Sequence, residues 1–177
     1  MKTRLLKVLA GLLVPVAIPF AALTKLPAAL ADVPFPVDEL VPQMFNETSV
    51  PILLPSRVPF SEQVYFRGQA SSDNYEVEMY HSPDCNAGAC YIGAIQAERG
   101  GQLSTSPTEG RMPEFKNLKL FGGTQGIFVN SCGAYCTASV EWQHEGVLYR
   151  VTMKNGTQQE LEQIANLAIE NGPWSVR

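Results

Sequence analysis

The chain has 177 residues, of which 45% are hydrophobic, and it carries 13 basic and 17 acidic side chains. Its formal net charge is −4, and it contains no lysine- and arginine-rich run of the kind that binds phosphate groups. An acidic chain repels nucleic acids and anionic membranes, so both are excluded as expected partners.

Residues 1–31 have the three parts of a secretory signal peptide. A basic start precedes an apolar run from Val8 to Leu23, and an Ala-x-Ala stretch ends at Ala31. The run is shorter than the roughly 20 residues that a membrane-spanning helix needs, and two prolines interrupt it. We therefore expect cleavage between Ala31 and Asp32, and a secreted or periplasmic product without a membrane anchor. Loss of four of the 13 basic side chains and none of the 17 acidic ones would leave 146 residues with a net charge of −8.

Residues 32–60 contain six prolines, which regular strands and helices tolerate poorly. We interpret this stretch as a proline-rich extended arm whose apolar part, residues 50–55, packs onto the body of the protein. Residues 61–177 then form one disulfide-containing domain.

Strand signals recur through the first half of this domain. The candidates lie near Val64–Phe66, at Tyr75–Met79, at Cys90–Ala97 and near Leu118–Phe121. Residues 99–117 are polar and rich in turn residues. A segment of that length without clear structure is typical of a mobile or functional loop.

A three-stranded antiparallel meander is predicted next. If Cys132 lies opposite Cys136, Phe128 lies opposite Val140, but the register of this first hairpin stays open. A one-residue slip in the meander would scramble the apolar face. The strands are Gly126–Cys132, Cys136–Trp142 and Val147–Lys154. The apolar face holds Phe128, Val140, Trp142, Val147, Tyr149, Val151 and Met153, and the other face holds Glu141, Arg150, Thr152 and Lys154.

The second hairpin of this meander is expected to turn at residues 144–145. That turn places Trp142 opposite Val147 and Val140 opposite Tyr149.

A helix follows the meander. Thr157 and Glu160 have the spacing of a capping box, and residues 171–173, Asn-Gly-Pro, end the helix. One apolar stripe is formed by Leu161, Ile164, Ala165, Ala168 and Ile169. The fold class is therefore α+β: an antiparallel β-meander sheet with one C-terminal amphipathic helix packed on its apolar face.

Four cysteines lie outside the leader, at Cys85, Cys90, Cys132 and Cys136. An even number in an exported chain indicates two disulfides, with three connectivities open. Long-range pairing would stabilise the folded chain more than local pairing would. Closing a loop of about 50 residues contributes about 4 kcal/mol, whereas closing a loop of about six contributes about 2 kcal/mol. Local pairing, 85 with 90 and 132 with 136, suits the spacing across tight turns and is favoured.

No motif for catalysis, cofactor binding or metal binding stands out. His81 precedes Asp84 and Cys85, but a surface turn histidine explains it better than a metal ligand does. Glu76 and Glu78 share a strand face, which is common on solvated strands and weak support for glycosidase chemistry. A thiol nucleophile would require a free cysteine, which the disulfides remove. We expect no catalytic residue, no cofactor and no metal.

Four short motifs in the last part of the chain resemble the extracytoplasmic α+β domain of bacterial anti-sigma regulators and sporulation-type lipoproteins. They are Val140-Glu141-Trp142, Gly146-Val147-Leu148-Tyr149, Glu160-Leu161 and Ile164-Ala165. In that family these elements close an α+β domain, and the resemblance implies no catalytic set. The chain departs from the family because it lacks the membrane anchor and the lipid-attachment cysteine and adds four cysteines. It also resembles small exported proteins of cyanobacteria or other Gram-negative bacteria.

The function expected from the sequence is that of an exported, non-enzymatic module that binds a protein, a peptide or an envelope component. The alternatives are an unfamiliar periplasmic hydrolase or thiol-redox enzyme, and a secreted inhibitor. The oligomeric state does not follow from the sequence.

Overall fold

The computed structural model describes residues 32–85, 87–106 and 111–176. The signal peptide expected at residues 1–31, with Ala31 at its cleavage site, lies outside the described residues. The strands in chain order are β1 Val33–Pro34, β2 Arg57–Val58, β3 Tyr65–Ser71, β4 Asn74–Tyr80, β5 Tyr91–Arg99, β6 Arg111–Lys119, β7 Gln125–Cys132, β8 Cys136–His144 and β9 Val147–Lys154. The helices are α1 Val37–Phe45 and α2 Gln158–Asn171, and a 3-10 turn spans Phe121–Gly123.

Strands β3 to β9 form one antiparallel sheet in the order β3-β4-β5-β9-β8-β7-β6. Two meanders, β3-β4-β5 and β6-β7-β8-β9, join where β5 pairs with β9. The connection from β5 to β6 therefore has to cross the sheet from its middle to its far edge. Gln143 on β8 donates to the Gly101 carbonyl at 2.7 Å, which holds the start of this crossover against the sheet.

The N-terminal stretch differs from the extended arm expected for residues 32–60, because it contains α1. Pro36 caps the helix and needs no amide there, while Pro42 lies inside and removes one backbone hydrogen bond. Burial of Leu40, Val41 and Met44 offsets that loss. The helix packs on β3 at Gly68, where an added Cβ would lie only 3.1 Å from Leu40 Cδ2.

The rest of this stretch is part of the core. Ile52, Leu53 and Leu54 are buried and lie over the same sheet face as α2. The indole nitrogen of Trp174 donates to the Leu54 carbonyl at 2.9 Å, which ties the segment to the C-terminal end. Strands β1 and β2 pair with each other beside it. The core therefore begins well before residue 61.

In the first hairpin of the predicted meander, whose register the sequence left open, Cys132 lies opposite Cys136 and Phe128 lies opposite Val140. The second was predicted two residues out of register: Trp142 lies opposite Tyr149, and not Val147.

The cause of this shift is the turn. It is formed by Glu145 and Gly146, with φ of 51° and 76°, and not by residues 144–145. Two-residue hairpin turns favour positive φ at both positions, which glycine adopts most readily. A shift by two keeps every side chain on its predicted face, so the apolar face is buried as expected.

Helix α2 starts with the predicted capping box. The Thr157 hydroxyl accepts from the Glu160 amide at 3.3 Å, and the Glu160 carboxylate accepts from the Thr157 amide at 2.8 Å. Its buried stripe packs across β8 and β9. The predicted class, α+β with an amphipathic C-terminal helix on the apolar face of an antiparallel sheet, is confirmed.

The loop predicted over residues 99–117 is wrong in its last part, because β6 occupies Arg111–Lys119. This strand is at the sheet edge, where alternate positions meet solvent and Pro113 needs no hydrogen-bond partner. Its polar composition therefore misled the interpretation. Residues 100–106 are irregular as expected, and the remainder of the predicted loop, residues 107–110, lies outside the described residues.

Within the described part of the chain, neither helix is both long and apolar enough to span a bilayer.

Candidate functional site

The two faces of the sheet differ in what covers them. The inner face carries α1, α2 and residues 50–58, whereas the outer face carries a row of polar side chains, one from each of five adjacent strands. Two glutamines hold Glu76 in this row: Gln69 donates to one carboxylate oxygen at 2.9 Å, and Gln96 donates to the other at 2.6 Å. The polar row consists of Gln69, Glu76, Gln96, Arg150 and Glu141.

Glu141 is the buried member of the polar row, with only 3% of its side chain exposed. One carboxylate oxygen accepts from Arg150 Nε at 2.8 Å and from the Ser104 hydroxyl at 3.1 Å. The other accepts from the Ser104 amide at 2.8 Å. Because Ser104 belongs to the crossover, Glu141 fastens that segment to the outer face.

Sequence reasoning missed this arrangement. It placed Glu141 on the outer face correctly but predicted no partner for its carboxylate. In the predicted register Glu141 lay opposite Leu148, whereas the observed register puts it opposite Arg150. The signal for the ion pair was the Glu145-Gly146 turn, which sets that register.

A groove of about 690 Å³ runs along the outer face next to the polar row. That volume is within the range of about 300–1,000 Å³ typical of ligand sites. Hydroxyl side chains from β8 and β9, those of Thr137, Ser139 and Thr152, line its floor. Arg150 and Tyr135 line it as well. The groove therefore combines hydrogen-bonding groups with apolar surface and has few charges.

The structure joins all four cysteines in two local disulfides, Cys85–Cys90 and Cys132–Cys136. Both close loops at the same end of the sheet. Lys154 links the loops, because its ammonium donates to the Gly88 carbonyl at 3.0 Å and lies 4.7 Å from the centre of the Tyr135 ring.

Two tyrosines extend this end of the outer face. The rings of Tyr80 and Tyr91 meet edge to face with centres 5.7 Å apart, and the Arg67 guanidinium lies 4.9 Å over the Tyr80 ring. Burial raises the pKa of both phenols, so each remains a neutral hydrogen-bonding group at any physiological pH. Tyr135, by contrast, is half exposed.

The two histidines of the chain are not brought together. His81, the weak candidate for a metal ligand, is exposed beside the oxidised Cys85, and His144 lies at the β8–β9 turn 3.9 Å from Glu145. Among the described residues, no three or more histidine, cysteine, aspartate or glutamate side chains are grouped to hold a metal ion.

Comparison with known proteins gives no match: no protein-family model, curated protein or solved structure is similar to the chain. The likeness to anti-sigma regulators and sporulation-type lipoproteins therefore stays a prediction, as does the similarity to cyanobacterial exported proteins. The groove on the outer face is the candidate functional site.

Proposed function

We propose that the protein is an exported, non-enzymatic binding module of the periplasm or exterior. It binds a protein, a peptide or an envelope component in the groove of the outer face. The observation that carries this proposal is the groove itself, because it is large enough for a ligand and is lined by hydroxyl groups from two paired strands.

Export is supported by two independent features. The first is the signal-peptide pattern of residues 1–31. The second is the pair of disulfides, since such bonds form and persist in oxidising compartments. The predicted charge of −8 after cleavage disfavours nucleic acids and anionic membranes as partners.

Binding is favoured over catalysis by the groups that face the groove. Nucleophilic catalysis needs a nucleophile beside a free base. The Glu141 carboxylate already accepts three hydrogen bonds, so it is not available to activate a hydroxyl. The bonded cysteines are separated by 5 and 4 positions and lie between strands or at their ends. Dithiol oxidoreductases commonly use two intervening residues at the start of a helix, so this placement argues against the alternative of a thiol-redox enzyme.

The proposal is tested by site-specific photo-crosslinking in the native host. A photoreactive amino acid replaces Thr137, which is exposed in the groove, and in a matched control it replaces Glu170, which is exposed on α2. We expect a discrete crosslinked product from position 137 alone, and excess unlabelled protein should compete it away. No product, or the same products from both positions, would rule out a binding role for this face.

A further inference from the structure

Part of the Arg150 guanidinium makes no hydrogen bond to the described residues of the protein. Its Nε donates to Glu141, but neither Nη group has an acceptor among the described residues. The side chain is 34% exposed and lines the groove. Four N–H donors of the planar fork are therefore open to a ligand.

Arg150 is also held in one orientation. Its partner Glu141 is 3% exposed and is itself bonded to the amide and the hydroxyl of Ser104. A guanidinium fixed in this way loses little side-chain freedom when it binds a ligand. Paired Nη donors match the two oxygens of a carboxylate.

The charges around Arg150 indicate from which side of its side chain an anionic ligand can approach. Glu141 is the sole acidic side chain among the described residues that line the groove, and Arg150 compensates it. The depression on the other side of Arg150 is lined by Glu76 and Glu98, which would repel an anion. A ligand carboxylate therefore meets Arg150 from the groove side.

The chain's acidity limits the charge of that ligand. A monoanion meets less repulsion from an acidic protein than a phosphate dianion does. The hydroxyls of Thr137, Ser139 and Thr152 both donate and accept hydrogen bonds, as the N–H and C=O groups of a peptide require.

From these observations we infer that the groove binds the C-terminal end of an extended peptide, with the terminal carboxylate on the Nη groups of Arg150. This inference rests on the proposed function, because it assigns a ligand to the same groove.

The test is a nuclear magnetic resonance titration of the isotope-labelled chain from Asp32 to Arg177. The probes are N-acetyl-trialanine with a free carboxylate, the same peptide with an amidated C-terminus, and sodium glucuronate. The free acid should shift the amide signals of Thr137, Ser139 and Thr152 saturably. The amidated peptide cannot make the bidentate charged contact, so its dissociation constant should be about tenfold higher or more.

Two variants assign the effect to Arg150. In Arg150→Gln, the free acid should bind no more tightly than the amidated peptide. In the matched control Arg67→Gln, which removes another cation from the same face, the preference for the acid should persist. The comparison of acid with amide in the unaltered chain decides the matter even if Arg150→Gln does not fold.

The proposal is overturned if acid and amide bind alike, if neither binds, or if glucuronate binds as tightly as the peptide acid. The crosslink from position 137 uses no added peptide. A crosslink without peptide binding would therefore reject this ligand and retain the proposed function, whereas loss of the crosslink would reject the function.

Discussion

The phenol oxygen of Tyr75 bonds both backbone groups of Leu53: it donates to the carbonyl at 2.9 Å and accepts from the amide at 3.0 Å. Tyr75 is on β4, and Leu53 lies in the N-terminal stretch, where both are buried. A backbone segment without a strand partner gains its hydrogen bonds from a side chain here. This contact explains how a proline-rich stretch forms part of the core.

Removal of that hydroxyl should destabilise the protein. Tyr75→Phe leaves the buried amide and carbonyl of Leu53 without a partner, which costs about 1–3 kcal/mol in the free energy of unfolding. Urea unfolding followed by tryptophan fluorescence measures the change. The matched control is Tyr135→Phe, whose half-exposed ring should alter stability by less than about 0.5 kcal/mol.

A chain shortened to residues 61–177 should fail to fold. It lacks Val50, Ile52, Leu53, Leu54 and Val58, all of them buried. Each such side chain contributes about 1.5–3 kcal/mol on burial, and the total stability of a domain is about 5–15 kcal/mol. Dispersed amide signals and cooperative melting of the shortened chain would contradict this expectation, and the chain from Asp32 is the folded reference.

Glu141→Ala should lower the free energy of unfolding by about 2–4 kcal/mol. The substitution leaves the Ser104 amide without its acceptor and removes the partner of a half-buried guanidinium. A double-mutant cycle with Arg150→Ala measures the coupling between the two side chains. Glu114→Ala breaks the exposed ion pair with Lys116 and should cost less than about 1 kcal/mol. Equal losses in the two variants would mean that Glu141 is no more important than a surface charge.

Alkaline pH should unfold the protein through its buried tyrosines. Burial raises the pKa of Tyr75 and Tyr149 above the ordinary value of 10.0. Above pH 10 the unfolded chain loses these protons while the folded chain keeps them. The free energy of unfolding is therefore unaffected by these groups below pH 10 and falls as the pH rises further.

Urea midpoints measured from pH 8 to about 11.5 test this dependence. Tyr149→Phe should reduce the alkaline slope, although it also removes the hydrogen bond to the Pro51 carbonyl. An unchanged slope in that variant would show that Tyr149 does not cause the loss.

Each disulfide should stabilise the fold by a similar, modest amount. The bonded cysteines are separated by 5 and 4 positions, and closure of such short loops contributes about 2 kcal/mol. Paired cysteine-to-serine variants of each bond, compared by thermal melting, measure this. Thiol titration of the unreduced, unfolded protein should detect no free cysteine, and any detectable thiol would contradict the pairing.

The elements that the sequence predicted correctly depend on residues close together in the chain. The capping box joins Thr157 to Glu160, and the apolar stripe of α2 repeats with the helical period. The Cys132–Cys136 disulfide closes a three-residue loop, and that short spacing is what favoured local pairing. These signals are local, so no knowledge of distant contacts was needed to interpret them.

The errors arose where a distant contact outweighs local preference. Helix α1 tolerates Pro42 because its apolar face packs on β3, and β6 is a strand because it pairs with β7. Neither partner is visible in the sequence of the element itself.

By itself, the sequence determined the α+β class, the apolar sheet face and the C-terminal helix, since period and capping express short-range preferences. The export that its first 31 residues indicate stays a prediction. The partners and the orientation of the residues in the candidate site depend on the tertiary structure. Glu141 is buried because the crossover brings Ser104, 37 positions away, onto its carboxylate, and Arg150 is oriented because the Glu145-Gly146 turn sets it opposite Glu141. A buried charge depends on which groups surround it in space, and chain folding alone assembles those groups.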